Sequence, residues 1–445
     1  MPISPSRVAA FDILLRVESE SSYASELLHS SRYLELSSAD HGLVTELIMG
    51  VLRWRSLLDE HIAERSSQKL NRLDAEVLTA LRLAVYQLLF LDRVPERAAV
   101  HESVELVKRA RKRSAVPFAN AVLRKFVGCA RDHGGGSAIT SAKTTEGLAS
   151  SSAHPVWLVK RWIQEYGFEA AKQVCIYDQR IPETAISVSD PAIAEELRNH
   201  KIQLSQGHLL ASAYRVAGGD LTGARPFRDG QVMIQDEGSQ LVALLVGQGS
   251  RILDCCAAPG GKTRTLAGCN PNASIIATDL HPHRAHMLRR LVAAQNVQVI
   301  AADARALPIT ALFDRVLADV PCSGTGTLAH NPEIKWRLKP EDLTDLEARQ
   351  LAILQSAMQR VSLGGTLVYS TCSLEKEENS NVVEKAMSVD PSFRVLDCGS
   401  ELERLRVEGE LLWEDVDSLV SGPYLRTIPG VHPCDGFFAA ILQKS

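Results

Sequence analysis

The sequence lacks any pair of cysteines at the spacing of a zinc ribbon, and its nine cysteines follow no regular pattern. That argues against both a disulfide framework and a structural metal, and no metal is expected at His281 and His283 either. Adjacent Cys255 and Cys256 are poorly placed to bridge each other, so a reducing, cytoplasmic setting fits them best. Long apolar runs are also missing. The most apolar stretch, Leu78 to Leu91, carries Arg82 and Gln87 and is too short to cross a bilayer, so no membrane partner is expected. No leader is visible, because the stretch from Phe11 to Val17 is short and interrupted by Asp12 and Arg16. Net charge is small, formally -4 with a pI near 6.4, so nothing pulls the whole chain toward nucleic acid. Such a partner has to be met by a local patch.

What is present divides into segments. At 445 residues the chain exceeds what one core usually supports, and two or three domains are expected. From about 5 to 127 apolar residues recur at three and four, as in Leu73, Val77, Leu78, Leu81, Val85, Leu88 and Leu89. Short connections make residues 1–130 a compact all-α bundle. Between Arg97 and Arg131 nine Lys or Arg face only Glu102 and Glu105, which reads equally as a solvated helix face or as a phosphate-binding footprint. Residues 131–153 turn to Gly, Ser, Thr and Ala and read as a flexible linker. Two helices and several short strands then suggest a small α+β domain over 154–226. From 227 to 445 strands and helices alternate, with candidate strands at 251–255, 274–278, 297–300, 315–319, 366–370, 394–396 and 437–442. A parallel, doubly wound α/β sheet is the natural fold for this order.

Two of those strands end in cysteine. Val316-Leu317-Ala318 runs into Asp319-Val320-Pro321-Cys322-Ser323-Gly324, where proline stops the ladder, and Leu367-Val368-Tyr369 runs into Ser370-Thr371-Cys372-Ser373. Ligands of open parallel sheets sit beyond the carboxyl ends of the strands, so the two thiols are expected to share one crevice. The first strand of the domain opens into Asp254-Cys255-Cys256-Ala257-Ala258-Pro259-Gly260-Gly261-Lys262-Thr263. A phosphate loop would need glycine where Cys256 stands, and no Gly-x-Gly of a dinucleotide fingerprint occurs in the turn. A nucleoside without phosphates fits better. Asp279, Asp303 and Asp319 follow successive strands; the first is placed to accept ribose hydroxyls, and together they suit a cationic ligand such as S-adenosylmethionine.

These strings resemble the cytosine-5 RNA methyltransferases of the Sun type, in particular the subgroup acting on 16S ribosomal RNA. Asn331-Pro332-Glu333-Ile334-Lys335-Trp336 and Asp435-Gly436-Phe437-Phe438 add to the resemblance, and the N-terminal helices look like the NusB-type RNA-binding domain of that subgroup. The family implies a Rossmann-like methyltransferase domain that binds S-adenosyl-L-methionine through Cys256, Ala257, Ala258, Pro259, Gly260, Gly261, Lys262, Asp279, Asp303 and Asp319. It implies Cys372 as nucleophile and Cys322 as the thiol that helps release product. Asp319 is expected at the edge of the base, and Lys262 is a candidate for supplying positive potential to the thiolate. A monomer acting on 16S ribosomal RNA, free or in an early particle, is the expected working form. Trp336 is expected either to stack on a base or to pack within its loop, and the remaining cysteines are expected to be structural.

Overall fold

The computed structural model describes residues 3–20, 23–28, 36–129, 136–188, 190–292 and 294–445. It divides into two compact units, Met1–Ile181 with Leu328–Leu338, and Pro182–Thr327 with Lys339–Ser445.

The first unit is built on the helix Ala75–Phe90, which touches Pro5–Ser19, Ser38–Arg53, Arg55–Arg65, Glu96–Arg109 and Val116–Arg124. Its side chains from Val77 to Leu89 are all buried but Leu78, as expected of a helix enclosed by others. The two polar interruptions seen in the sequence are satisfied inside the unit. Arg82 grips Asp59 through Nε and Nη2 at 2.7 and 2.8 Å and Glu18 through Nη1 at 2.6 Å, while Arg7 Nε donates to Gln87 Oε1 at 2.7 Å. The basic segment is less free than its composition suggests. Lys108 pairs with Glu105 at 2.6 Å, Arg109 with Asp12 at 2.7 Å and Lys112 with Asp74 at 3.2 Å.

Two expectations are corrected here. Residues 130–135 lie outside the described residues, but 136–153, expected to be flexible linker, hold the helices Gly136–Ser141 and Thr145–Ser151. Thr144 caps the second by accepting from the Gly147 N–H at 3.1 Å, and Ile139, Leu148 and Ala149 are buried. A few inward apolar side chains thus override a composition that favours coil. The helices Val156–Tyr166 and Phe168–Asp178, expected to open the α+β domain, group with the helical unit instead. Leu328–Leu338 also belongs to this unit. Lys335 Nζ donates to Arg53 O at 2.9 Å, Trp336 Nε1 to Leu52 O at 2.6 Å and Arg53 Nη2 to Ala329 O at 3.1 Å. Trp336 is therefore a packed tryptophan.

The second unit begins with strands β1 (Thr184–Val188), β2 (Gln203–Gln206), β3 (Ala213–Gly218) and β4 (Val232–Ile234), an antiparallel sheet ordered β2-β3-β1-β4. Its core of Ile186, Ile193, Leu197, Ile202 and Val232 includes one face of the helix Pro191–Asn199. Next come β5 (Arg251–Asp254), β6 (Ser274–Asp279), β7 (Val297–Ala301), β8 (Phe313–Asp319), β9 (Val361–Thr371), β10 (Phe393–Leu396), β11 (Val420–Ser421), β12 (Tyr424–Arg426) and β13 (Phe438–Lys444). Strands β7-β6-β5-β8-β9 are parallel, as the sequence led us to expect. The far edge is not: β13 runs antiparallel to β9, and β10 and β12 run antiparallel to β13. A parallel return needs a long crossover, usually a helix, and residues 427–437 contain none.

Strand alternation covers both faces of this sheet. Ile252, Leu317, Val368 and Ile441 enter one apolar cluster with the helices Glu237–Leu245 and Cys398–Val407. Leu253, Val316, Leu367 and Tyr369 enter another with Asp342–Met358 and Ser380–Val389. The chain leaves β5 toward β6 and β7, then returns to place β8 on the other side of β5. That reversal opens a crevice at the carboxyl ends of β5 and β8, the usual ligand position in such sheets.

Candidate active site

The loop after β5 is held close to the helix that follows it, Gly261–Cys269. Gly260 has φ 121°, and a Cβ there would stand 2.8 Å from Leu288 Cδ1 and Val292 Cγ2, so only glycine fits. Asp254 is 1% exposed. Its Oδ2 accepts from Thr263 Oγ1 at 2.7 Å, while Oδ1 is buried without a donor among the described residues. Burial pushes its carboxyl up to about 7.

A cavity of about 250 Å³ opens here, lined by Cys256, Ala257, Ala258, Pro259, Gly261, Lys262 and Asp319 from among the expected residues. Gln235, Asp236, Ser239 and Asp254 also line it and were not anticipated. The signal that could have found Gln235, Asp236 and Ser239 is a polar run, Gln235 to Gln240, just before the apolar helix residues Leu241 to Leu245. A larger cleft of about 1070 Å³ elsewhere in the unit is lined by Leu244, Arg264, Cys269 and Arg404 among others, and by none of the expected site residues. The smaller cavity is thus the one that the expected cofactor loop lines, and neither Cys322 nor Cys372 is part of its wall.

Lys262 Nζ lies 2.8 Å from Asp319 Oδ2 and donates to Ser239 Oγ at 2.7 Å. Burial alone would lower the ammonium pKa; Asp319, then Cys372 and Asp254, outweigh burial and hold it above its ordinary value. Asp319 Oδ1 accepts from Ser370 Oγ at 2.7 Å, so both carboxylate oxygens are engaged. Asp279 ends β6, is 5% exposed and accepts from the His281 N–H at 3.0 Å. Asp303 differs. It is half-buried, bound to Arg305 Nη2 at 2.6 Å, and held below the usual carboxylate range by that arginine. Among the described residues neither Asp279 nor Asp303 lines the cavity itself.

The two thiols do meet: Cys322 Sγ and Cys372 Sγ are 3.3 Å apart. Main-chain bonds join their loops, with Val320 N–H donating to Ser370 O at 3.0 Å and Gly326 N–H to Cys372 O at 2.9 Å. Gly326 also lies against Gly436, whose carbonyl oxygen would be 2.1 Å from an added Cβ. Glu378, which the sequence did not single out, binds both loops. It accepts from Ser323 N–H and Gln350 Nε2, each at 2.8 Å, from Ser373 Oγ at 2.5 Å and from Ser323 Oγ. The contact with Cys372, followed by burial, raises the Cys322 pKa. Of the other cysteines, Cys175, Cys255, Cys398 and Cys434 are buried as expected, whereas Cys269 is exposed.

The cavity suits S-adenosylmethionine, because its walls offer unpartnered acceptors at Asp254 Oδ1 and Gln235 Oε1 and a net excess of carboxylate toward a cationic ligand. Known proteins agree. A family model described as 16S rRNA methyltransferase RsmB/F matches residues 241–443, and the NusB family model matches residues 4–128. The chain is 33% identical over 453 residues to the probable ribosomal RNA small subunit methyltransferase B of Bacillus subtilis, with 98% of each chain covered. It is 31% identical over 431 residues to ribosomal RNA small subunit methyltransferase B of Cronobacter sakazakii, with 92% of each covered. The crystal structure of PH0851 superposes with TM-score 0.80 at 23% identity and full coverage of both chains, which speaks for the fold.

Fold and site define an S-adenosylmethionine-dependent methyltransferase. The chain belongs to the RsmB/F family of these enzymes and carries an N-terminal domain of the NusB family.

Proposed function

We propose that this chain methylates carbon 5 of a cytosine in 16S ribosomal RNA through a covalent bond between Cys372 and carbon 6. The observation that supports this most is the 3.3 Å approach of two strand-end thiols in the unit that holds the Lys262–Asp319 pair. Carbon 5 of an aromatic cytosine is a poor nucleophile. A thiolate adding to carbon 6 breaks the aromaticity and makes carbon 5 enamine-like. The proton at carbon 5 must later be removed so that the thiolate can leave, which calls for a second group. S-adenosylmethionine, when bound, supplies the sulfonium methyl.

Cys372 is the attacking thiolate in this reading. The Lys262 ammonium is held by Asp319 and Ser239, and the charge of Cys372 helps keep it protonated. The Asp319–Lys262 pair meets the polar edge of the base, where charge develops at nitrogen 3. Cys322 is kept protonated at first by its contact with Cys372. Once Cys372 is bonded to the base that contact is lost, and Cys322 is free to ionise and take the carbon 5 proton, directly or through a water. The rRNA substrate is supported by the named relatives and by the family description.

Alanine variants separate the two thiols. With labelled rRNA fragment and S-adenosylmethionine, Cys322→Ala should transfer methyl and then stall as a slow band on a denaturing gel, whereas Cys372→Ala should form neither adduct nor product. A slow band from Cys372→Ala, absent from Cys322→Ala, would reverse the roles and favour the mechanism in which the Pro-Cys thiol attacks.

A further inference from the structure

Gln235 follows β4 and precedes the helix Glu237–Leu245, and it is 8% exposed. Its main chain is fixed on both sides. The N–H donates to Ala185 O at 3.0 Å, and the carbonyl accepts from Gln240 Nε2 at 2.9 Å. The side-chain amide lines the cofactor cavity and donates from Nε2 to Ser239 Oγ at 3.0 Å. Its Oε1 is buried and has no donor among the described residues. A buried acceptor without a donor is costly, so one held rigidly in a cavity wall points to a ligand donor.

The neighbours of that oxygen say which donor. The amide lies against Gly261, where an added Cβ would be 3.0 Å from Gln235 Cδ and 3.1 Å from Oε1. Gly261 starts the helix Gly261–Cys269, and free N–H groups at a helix start attract anions. Thr263, in the first turn, donates to Asp254, whose other oxygen is the second unpartnered acceptor of the same cavity. One corner thus presents two acceptors beside a set of main-chain donors. Ribose and adenine offer donors but no charge of either sign for a carboxylate and a helix start, and a methyl sulfonium carries no N–H. An amino-acid group, ammonium and carboxylate on one carbon, needs both kinds of partner at once.

We propose that Gln235 binds the amino-acid end of S-adenosylmethionine, its Oε1 accepting from the α-ammonium with Asp254 as the second acceptor. The carboxylate is then directed to the start of the helix Gly261–Cys269. The proposal rests on the assignment of this cavity to the cofactor and names the part of the cofactor that it reads.

Calorimetric titration of the full chain with two ligands tests it. S-adenosylmethionine carries the amino acid; 5′-methylthioadenosine keeps the nucleoside and sulfur without it. Gln235→Met, equal in length but without an amide, and Gln235→Ala should each weaken S-adenosylmethionine about tenfold while changing 5′-methylthioadenosine by less than about twofold. Equal losses for both ligands would make Gln235 a structural residue, and no loss for either would remove it from the site; both results overturn the proposal. Failure of the unsubstituted chain to bind S-adenosylmethionine is a different result, since it would overturn the cofactor assignment itself.

Discussion

Single residues of one type diverge in this site according to what already holds them. Asp279 and Asp303 both follow strands of the parallel sheet, and the resemblance gave them the same role. Asp279 is buried, and one main-chain N–H is its short bond, with Arg284 Nη1 at 3.8 Å. Asp303 is half-buried and accepts from the Arg305 main chain at 2.9 Å and from its guanidinium. Arg284 beside Asp279 also donates to Ala258 O in the cavity wall, and with Asp279 as the ribose acceptor of the proposed reading, Asp279→Ala should weaken S-adenosylmethionine by roughly 1–3 kcal/mol. Asp303→Ala should change it by less than about 1 kcal/mol, since a partly solvated carboxylate already engaged by a neighbouring arginine contributes little. Titration of the two folded variants side by side checks the contrast. Equal losses would show that Arg305 releases Asp303 to the ligand.

At the scale of elements, the site depends on how the loops after β8 and β9 are tied together, and Glu378 is the tie. Its carboxylate is enclosed and accepts from Ser323, Ser373 and Gln350. Glu378→Ala would leave several buried donors without an acceptor, each costing roughly 1–3 kcal/mol. The expected result is a lower Tm and a rate of Cys372 adduct formation reduced at least about tenfold, with cofactor affinity preserved because Glu378 does not line the cofactor cavity. Adduct formation at the unsubstituted rate would deny it a positioning role. The strand ends were legible in the sequence because a strand end, its proline and its cysteine are neighbours in the chain. Glu378 was not, since it stands in Glu375-Lys376-Glu377-Glu378-Asn379, a run that reads as solvated until two loops close over one member. Gln235 was missed for a related reason: it opens a polar run that reads as solvated, and only Gly261, distant in sequence, shows that its amide is enclosed. The antiparallel β13 and the helices within 136–153 also came from tertiary packing, which local composition does not encode.

For the whole molecule, the division into units cuts across the order of the chain. Leu328–Leu338 follows the Cys322 loop directly in sequence, yet it is counted with the helical unit and is bonded there. Lys335 is 1% exposed, and burial pulls its ammonium down while pushing the carboxyl of Asp178 up. Glu333 Oε1 accepts from the Ala24 N–H at 2.8 Å, and Arg337 Nη2 donates to Val17 O at 2.7 Å. These eleven residues therefore bring their own anchors, and the partners of those anchors all lie before residue 182. A fragment starting at Pro182 keeps the segment and loses Val17, Ala24, Leu52 and Arg53, leaving Trp336 and Lys335 without the acceptors that hold them. We expect that fragment to aggregate or to melt well below the full chain. Replacing residues 328–338 in the same fragment by a Gly/Ser loop of equal length removes those side chains while keeping the connection, and should restore a soluble fragment that binds S-adenosylmethionine. Light scattering, thermal melts and cofactor titration on the two fragments decide the matter. If the fragment with the natural segment proves as soluble and as stable as the one with the Gly/Ser loop, the segment does not depend on the helical unit, and the division drawn here is wrong.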